Sequence, residues 1–167
     1  MEPAARVVSG TFNGDPVGLA AAGAVLGRYE SEDVVAKLWA TGAGVVKIIR
    51  AELDAAGRLF EVVGWDVHPR IVPVGGEGRE ELMSLFVQET LRAGLVIHHA
   101  GFNAARATAE PAALRRIGEC VARAAQECEA AWKVGGPEEC RRRLCGPPIR
   151  PPLERVLTPT AARGGRG

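Results

Sequence analysis

The sequence predicts an α+β fold in which helices pack on a short sheet. Three observations lead to this prediction. Segments with a helical period and recognisable caps lie towards both ends of the chain, two short β-type runs lie near its centre, and a long helix with one apolar face begins at Pro111. The predicted order is helix, helix, strand, strand, helix, strand, helix. A domain of this size buries enough surface to form its own core.

Two helices are expected in the first third of the chain. Asp15-Pro16 is a strong helix start, because aspartate suits the N-cap and proline at the first helical position loses no hydrogen bond. The first helix is rich in alanine and glycine, so it should pack closely against another surface. Ser31 is the expected cap of the second helix. Gly42 and Gly44 in the middle of that helix indicate either close packing or a break.

The central elements follow from different signals. Leu59–Trp65 and Arg70–Val74 have the composition of two strands joined by a turn. Glu80–Arg92 returns to helical spacing and ends before a glycine, which is typical of a helix C-terminus. Leu95–Ile97 is expected to be a short buried strand. A long helix then runs from Pro111.

The chain is predicted to divide into three parts. These are a linking segment and interface helix over residues 1–30, an α+β small domain over 31–133, and a flexible tail over 134–167. The tail prediction follows from the loss of helical period after Val134 and from clustered proline, glycine and arginine. Its three consecutive arginines are expected to be solvated rather than bound to an acidic partner. Cys140 and Cys145 fall in this tail.

Composition excludes several classes of function. The net charge of +1 gives no field to attract nucleic acid or an anionic membrane. No apolar run approaches the ~20 residues that span a bilayer, and the N-terminus lacks the apolar core of a secretory signal. A cytoplasmic setting is therefore expected. The cysteine spacings match no zinc motif, so no metal site is predicted.

Several polar and aromatic residues are expected to have structural roles. Cys120 and Cys128 lie on one helical face, where a free cysteine behaves as a small hydrophobe. His68 is expected in a turn, and Glu89 is expected to make a structural hydrogen bond. The adjacent His98 and His99 are expected to be neutral loop residues. The three tryptophans fall on apolar faces and are expected in the core: Trp39, Trp65 and Trp132.

The most informative segment for function is Ser9–Pro16, which reads SGTFNGDP. Its glycines let the backbone approach a ligand, Thr11 offers a hydroxyl, and amides at a helix start can face an anion. A phosphate group would suit this place. The residues alone also fit a plain turn with an N-cap, since neither common phosphate-loop pattern is present.

Four segments in order resemble class III pyridoxal-phosphate-dependent aminotransferases, and most closely the glutamate-1-semialdehyde 2,1-aminomutase group. Val8–Ala22 is similar to the stretch that follows the cofactor lysine in that family. VVAKLWATG resembles the helix that opens the small C-terminal domain, and LMSLFVQETLRAGLVI resembles a later segment of that domain. Gly101–Asn103 with Thr108–Glu110 is similar to the closing loop and the start of the last helix. The likeness covers roughly residues 7–130.

The resemblance implies a fold, a cofactor and a phosphate contact. The chain would be the small C-terminal domain of a fold-type-I pyridoxal-phosphate-dependent transferase, preceded by a linking segment. Gly10 and Thr11 would be the cofactor-binding residues, with Thr11 reaching the phosphate of pyridoxal 5'-phosphate from a neighbouring subunit. The first helix would pack on the large domain and on the second subunit. Arg106 is a weaker candidate, as a contact to a substrate carboxylate.

Departures from the family are as informative as the likeness. The Schiff-base lysine belongs upstream of Thr11, whereas the lysines of this chain are Lys37, Lys47 and Lys133. The family's large domain has no counterpart in this sequence. His99 stands where the aminomutases have glutamate, and Ala107–Ala109 replaces the usual His-Thr-Glu. Amino-group transfer needs a lysine amine to hold the cofactor and move a proton, so no catalytic residue is predicted.

Two functions therefore remain open. In the first, the chain is a fragment of an aminotransferase or aminomutase that contributes a phosphate contact and a dimer surface and is inactive alone. Its partner would be another copy or a large-domain polypeptide. In the second, the chain is a non-catalytic α+β interaction or assembly module derived from that family. A companion polypeptide with a lysine-bearing large domain would distinguish the two.

Overall fold

The computed structural model describes residues 10–11, 14–97 and 110–149. In chain order the elements are α1 (Pro16–Ser31), α2 (Val34–Ala55), β1 (Phe60–Trp65), β2 (His68–Pro73), α3 (Arg79–Arg92) and α4 (Pro111–Arg143). The described residues therefore form an α+β fold with four helices and a two-stranded antiparallel sheet. This confirms the predicted fold class. None of the described helices is long and apolar enough to cross a membrane.

The first two helices begin at aspartates. Asp15 caps α1, and its Oδ2 accepts from the Gly18 amide at 2.7 Å. Asp33 caps α2, and its Oδ1 accepts from the Ala36 amide at 3.1 Å. The expectation that Ser31 caps α2 is wrong. Ser31 is the last residue of α1, and its hydroxyl donates back to the Gly27 carbonyl at 2.8 Å.

Helix α2 runs unbroken through its two central glycines. Gly42 is buried against the turn of the hairpin, where a Cβ would collide with the carbonyl group of Asp66. Gly44 faces open space. The glycine at 42 therefore allows close packing, as expected, whereas the glycine at 44 has no packing role.

The two strands form a hairpin that confirms the predicted strand pair. Phe60 lies opposite Pro73 and Trp65 opposite His68, which leaves a two-residue turn between the strands. Alternation places Phe60, Ile71 and Pro73 on the buried face. His68 is the first residue of β2 rather than a residue of the turn.

The core lies between α2, α3, α4 and the buried face of the hairpin. Phe60 and Phe86 are in ring contact there, with centroids 4.6 Å apart. Cys120 and Cys128 are buried in this region, as expected, and both are free thiols. The other fully or almost fully buried apolar residues include Ile49, Leu53, Ile71, Leu82, Leu85, Val121, Ala124 and Ala131.

Leu95–Ile97 is not part of the sheet, so the prediction of a third strand is wrong. The amide of Leu95 donates to the carbonyl of Thr90 at 2.8 Å and so closes the end of α3. Gly94 has a φ of 92°, which is typical of a glycine that ends a helix. Ile97 is nevertheless buried, as the apolar run indicated.

The packed structure continues past residue 134, so the prediction of a flexible tail from that point is wrong. Helix α4 has a kink at Gly135 and Gly136 and then continues to Arg143. Beyond the kink, Cys140 is fully buried and Glu139 is 8% exposed. Pro137 begins a new helical segment, where its missing amide costs nothing. We call residues 137–149 the C-terminal strap; residues 150–167 of the predicted tail lie outside the described residues.

Two of the three tryptophans do not lie in the core. Trp65 is 73% exposed because strand alternation places it on the outer face of the hairpin, and Trp39 is 45% exposed near the start of α2. Trp132 is partly buried against the core, as expected. An apolar side chain on a regular face is therefore no proof of burial when the sheet has only two strands.

Candidate functional site

The predicted phosphate-binding residues lie at the N-terminal end of the described chain. Gly10 and Thr11 are both exposed, and Thr11 lies in a turn shortly before α1. Gly14 follows with a φ of 80°, a conformation that favours glycine. The structure therefore places both predicted residues together, close to a helix start and open to solvent.

The start of α1 is poorly suited to binding an anion. Asp15 already places a carboxylate at the helix end, where it accepts from the Gly18 amide at 2.7 Å. The Leu19 amide donates to the Asp15 carbonyl at 3.0 Å, and Pro16 has no amide hydrogen. A phosphate would meet a like charge and few free amides. Any phosphate contact here must therefore come chiefly from the Thr11 hydroxyl and its neighbouring backbone.

Helix α1 is apolar and has no buried residue. Val17 is 76% exposed, Leu19 64% and Leu26 62%. From residue 16 to residue 27 the helix carries no charged side chain. A helix that is apolar on all sides is normally enclosed by other elements. Helix α1 therefore has the composition of a buried helix and the exposure of a surface helix.

The exposed apolar surface continues onto the first turns of α2. Val35 and Trp39 are both exposed, and burial in α2 begins only at Gly42. We call residues 16–41 the N-terminal arm. The arm ends where α2 meets the hairpin, and from there onward α2 belongs to the core.

A concave space of about 570 Å³ lies inside the arm, at the corner between α1 and α2. Glu32 bridges the two cations at its rim, accepting from Arg28 at 2.5 Å and from Lys37 at 3.0 Å. Hydrogen bonds from Lys37 and then Arg28 lower the pKa of Glu32 below its ordinary value. The three charged side chains at the rim are thus ion-paired with one another. The remaining lining residues are Val34, Leu38, Ala40 and Thr41.

No lysine of the chain lies in a setting suited to a Schiff base. The Lys37 side chain is 64% exposed and paired with Glu32, and the Lys133 side chain is 70% exposed and paired with Glu129 at 2.8 Å. Lys47 is exposed on α2. An aldimine lysine must lie in an enclosed site that holds the cofactor ring. The lysines of this chain therefore do not fit a site for the pyridoxal phosphate ring.

The remaining candidates divide between described and undescribed parts of the chain. Glu89 is 8% exposed and accepts from Arg92 at 2.6 Å, so its role is structural. His68 lies exposed at the hairpin. His98, His99 and Arg106 lie outside the described residues. Within residues 10–11, 14–97 and 110–149, no cluster of His, Cys, Asp or Glu could hold a metal ion.

One polar cluster was not predicted. It joins α3 to the C-terminal strap, and Gln88 is at its centre. Glu139 lies at the strap end of the cluster, where hydrogen bonds from Arg142 and then Arg143 lower its pKa to about 2. The three consecutive arginines are therefore paired rather than simply solvated, since Arg141 also pairs with Glu81. Alternating Glu and Arg at a spacing of three or four, as in Glu139 and Arg142, was the signal in the sequence.

Comparison with family models, curated proteins and solved structures gives no match for this chain.

Proposed function

We propose that the chain is the small domain and interface helix of a class III pyridoxal-phosphate-dependent aminotransferase or aminomutase. In this proposal it supplies a dimer surface and one phosphate contact and does not catalyse alone. The observation that carries the proposal is helix α1, which is apolar on all sides and has no buried residue. Four segments of the sequence, in order, resemble that family and support it further.

The contrast between the arm and the rest of the chain favours an interface role. The core between α2, α3 and α4 has its own buried side chains and does not use α1. Exposed apolar patches of this kind mark surfaces that bind another protein. The natural cover for α1 is a groove of a lysine-bearing large domain, together with a second subunit. Thr11 precedes α1 and would enter the same interface.

The cofactor supplies the electron sink for amino-group transfer when it is bound in such an assembly. The part of this chain is limited to its own residues. Thr11 would donate its hydroxyl to a phosphate oxygen, and α1 would hold Thr11 at the partner's surface. The exposed lysines would not take part in the reaction.

The second candidate is a non-catalytic assembly module, and the exposure of all three lysines favours it. In that case α1 binds a partner that carries no pyridoxal phosphate. The two functions share the interface helix and differ in the partner.

Two measurements on one preparation test the proposal. The chain alone, incubated with pyridoxal phosphate and reduced with borohydride, is expected to give no single stoichiometric lysine adduct and no transaminase turnover. The chain mixed with a lysine-bearing large domain of a class III enzyme, stripped of its own small domain, is expected to form a complex with turnover. A stoichiometric adduct with turnover by the chain alone would refute the proposal. Complex formation only with partners free of the cofactor would favour the assembly module.

A Thr11→Val variant separates the phosphate contact from the interface. We expect it to bind the large domain like the unaltered chain and to weaken pyridoxal phosphate retention by about tenfold, since one hydrogen bond to a charged group is lost. Thr41→Val, at the last residue of the arm, is the matched control. Equal cofactor retention by both variants would show that Thr11 does not contact the cofactor phosphate.

A further inference from the structure

The C-terminal strap is held to α3 mainly by polar side chains. Gln88 makes the central contact. Its Nε2 donates to the Arg143 carbonyl at 3.0 Å, and its Oε1 accepts from the Cys145 amide at 2.8 Å. One side chain thus engages the strap backbone at two points, one as donor and one as acceptor.

Further contacts from α3 to the strap lie on both sides of Gln88. Glu81 pairs with Arg141. The guanidinium of Arg92 donates to the Cys145 thiol at 2.9 Å. Nearer the end of the strap, the Ser84 hydroxyl accepts from the Ile149 amide at 2.7 Å. Together these contacts follow one face of a single helix.

A hinge precedes the strap. Gly135 and Gly136 have non-helical dihedral angles inside α4, with φ values of −160° and 57°. The positive φ at Gly136 favours glycine. Two glycines in a row at the base of a segment allow it to move with little change elsewhere.

Few apolar side chains hold the strap in place. Cys140 is its one fully buried side chain, and Leu144 packs against the core only in part. Before the hinge, by contrast, α4 buries a continuous apolar face that includes Ile117, Val121, Ala124 and Cys128. A segment with few buried apolar contacts opens at a lower free energy than the core does.

We propose that the C-terminal strap is a conformational device that opens and closes on α3 as a unit. It moves about Gly135 and Gly136, and the two hydrogen bonds from Gln88 hold it closed. Helices α2 and α3 and the first part of α4 stay folded when it opens. Opening exposes Cys140 and the face of α3 that the strap covers. The proposal does not depend on the proposed function, because neither the arm nor the cofactor enters it.

The chain's own cysteines report on this motion. Cys145 is exposed, whereas Cys140, also a residue of the strap, is buried while the strap is closed. Cys120 is buried away from the strap, between α4 and the end of α3, where its thiol donates to the Ala93 carbonyl at 3.2 Å. Burial also raises the pKa of the Cys140 thiol, which keeps it unreactive while the strap is closed.

The test is native-state labelling of the full chain with a maleimide, followed residue by residue by peptide mass spectrometry. We expect Cys145 to react first, Cys140 next, and Cys120 only at the rate of global unfolding. In Gln88→Ala, the rate at Cys140 should rise about tenfold, since two hydrogen bonds to the strap are lost, and the rate at Cys120 should rise with it because the closed chain is destabilised relative to every open state. In Ile49→Val, which weakens the packing of α2 in the core, the rate at Cys120 should rise while the rate at Cys140 stays unchanged. Gln126→Ala, an exposed glutamine of α4, is the control and should change neither rate.

A second variant keeps the test valid if Gln88→Ala folds poorly. Gln88→Glu keeps an acceptor for the Cys145 amide and loses the donor to the Arg143 carbonyl, so we expect a smaller rise at Cys140. Equal labelling rates for Cys140 and Cys120 in the unaltered chain would overturn the proposal without any variant. A parallel rise at both cysteines in Ile49→Val would also overturn it, because the strap would then open only with the core, and so would an unchanged rate at Cys140 in Gln88→Ala.

Discussion

At the scale of single residues, Gly42 shows how a position fixes the packing of two elements. It lies where α2 crosses the hairpin turn, and a Cβ there would collide with the backbone of Asp66. Backbone atoms cannot move aside as the end of a flexible side chain can. Gly44, one half-turn further along, has open space around it. The two glycines therefore make a matched pair for mutation.

We expect Gly42→Ala to destabilise the fold by roughly 1–3 kcal/mol, because it overpacks the contact between α2 and the hairpin. Gly44→Ala should instead stabilise the fold by about 0.5–1 kcal/mol, because alanine is the better helix former and meets no neighbour. Urea unfolding of the two variants checks both signs. Equal changes in the unfolding midpoint would show that Gly42 does not touch the hairpin.

Glu139 is expected to make the stability of the folded chain depend on pH. Its pKa is about 2 in the folded chain, against an ordinary value of 4.5, because of Arg142 and then Arg143. A carboxyl group with a lowered folded-state pKa stabilises the folded state above its unfolded pKa. That contribution is lost as the pH falls from 4.5 towards about 2.

Accordingly, Glu139→Gln should be less stable to urea than the unaltered chain near neutral pH. The difference between the two free energies of unfolding should approach zero as the pH falls through this window. Glu138→Gln, at the exposed neighbouring position, should match the unaltered chain throughout. A difference that stays constant with pH would mean that the ion pairs of Glu139 do not stabilise the folded chain.

At the scale of elements, α1 and the strap reverse the expected roles of the two ends of the chain. Helix α1 is well capped and regular, yet it contributes no buried residue. The strap begins at a proline that follows two glycines, yet it buries Cys140 completely. The regularity of an element and its share in the core are therefore separate properties.

Two truncations test these roles. Removing residues 1–30 should raise solubility and leave the melting temperature of the core nearly unchanged, because α1 buries nothing within the chain. Ending the chain at Val134 should lower the melting temperature by several degrees relative to a chain ending at Ile149, because the buried Cys140 and the cluster around Gln88 are lost. Calorimetry of these three truncated chains and of the full chain gives the comparison. A large loss of stability on removing residues 1–30 would place α1 in the core.

Local signals predicted the elements whose structure depends on neighbouring residues. The Asp15 cap, the hairpin and the helix from Pro111 follow from caps, alternation and period, and all three are present. A short apolar run such as Leu95–Ile97 becomes a strand only where another strand lies beside it, and the Leu95 amide instead donates to Thr90 at the end of α3. The packed strap likewise depends on a distant residue, since Gln88 binds a segment more than 50 residues further along the chain. Such partners cannot be seen in a short window of sequence.

The candidate site was predictable only in part, for the same reason. Gly10 and Thr11 are adjacent in sequence, so their proximity to the start of α1 could be foreseen. Asp15 was predicted to cap α1, but the repulsion between its carboxylate and an anion at that helix end was not predicted. The exposure of the arm depends on which surfaces are absent around α1, and sequence period carries no such information.

At the scale of the whole molecule, the chain consists of a self-sufficient core and an arm with an unburied apolar surface. The core uses α2 from Gly42 onward, both strands, α3 and α4. The arm exposes Leu19, Leu26 and Trp39 to solvent. In the absence of a large-domain partner, such a surface is expected to bind a second copy of the chain. Association through the arm is the central claim of the proposed function.

The most direct measurement is sedimentation of the full chain over a range of concentrations. We expect a concentration-dependent dimer or larger species. Leu26→Glu should shift it towards monomer, because a charge would be buried in an apolar contact. Val134→Glu is the control. Val134 is an apolar residue outside the arm that is 71% exposed, so this variant should leave association unchanged. A full chain that remains monomeric at every concentration, or equal effects of the two variants, would contradict the account.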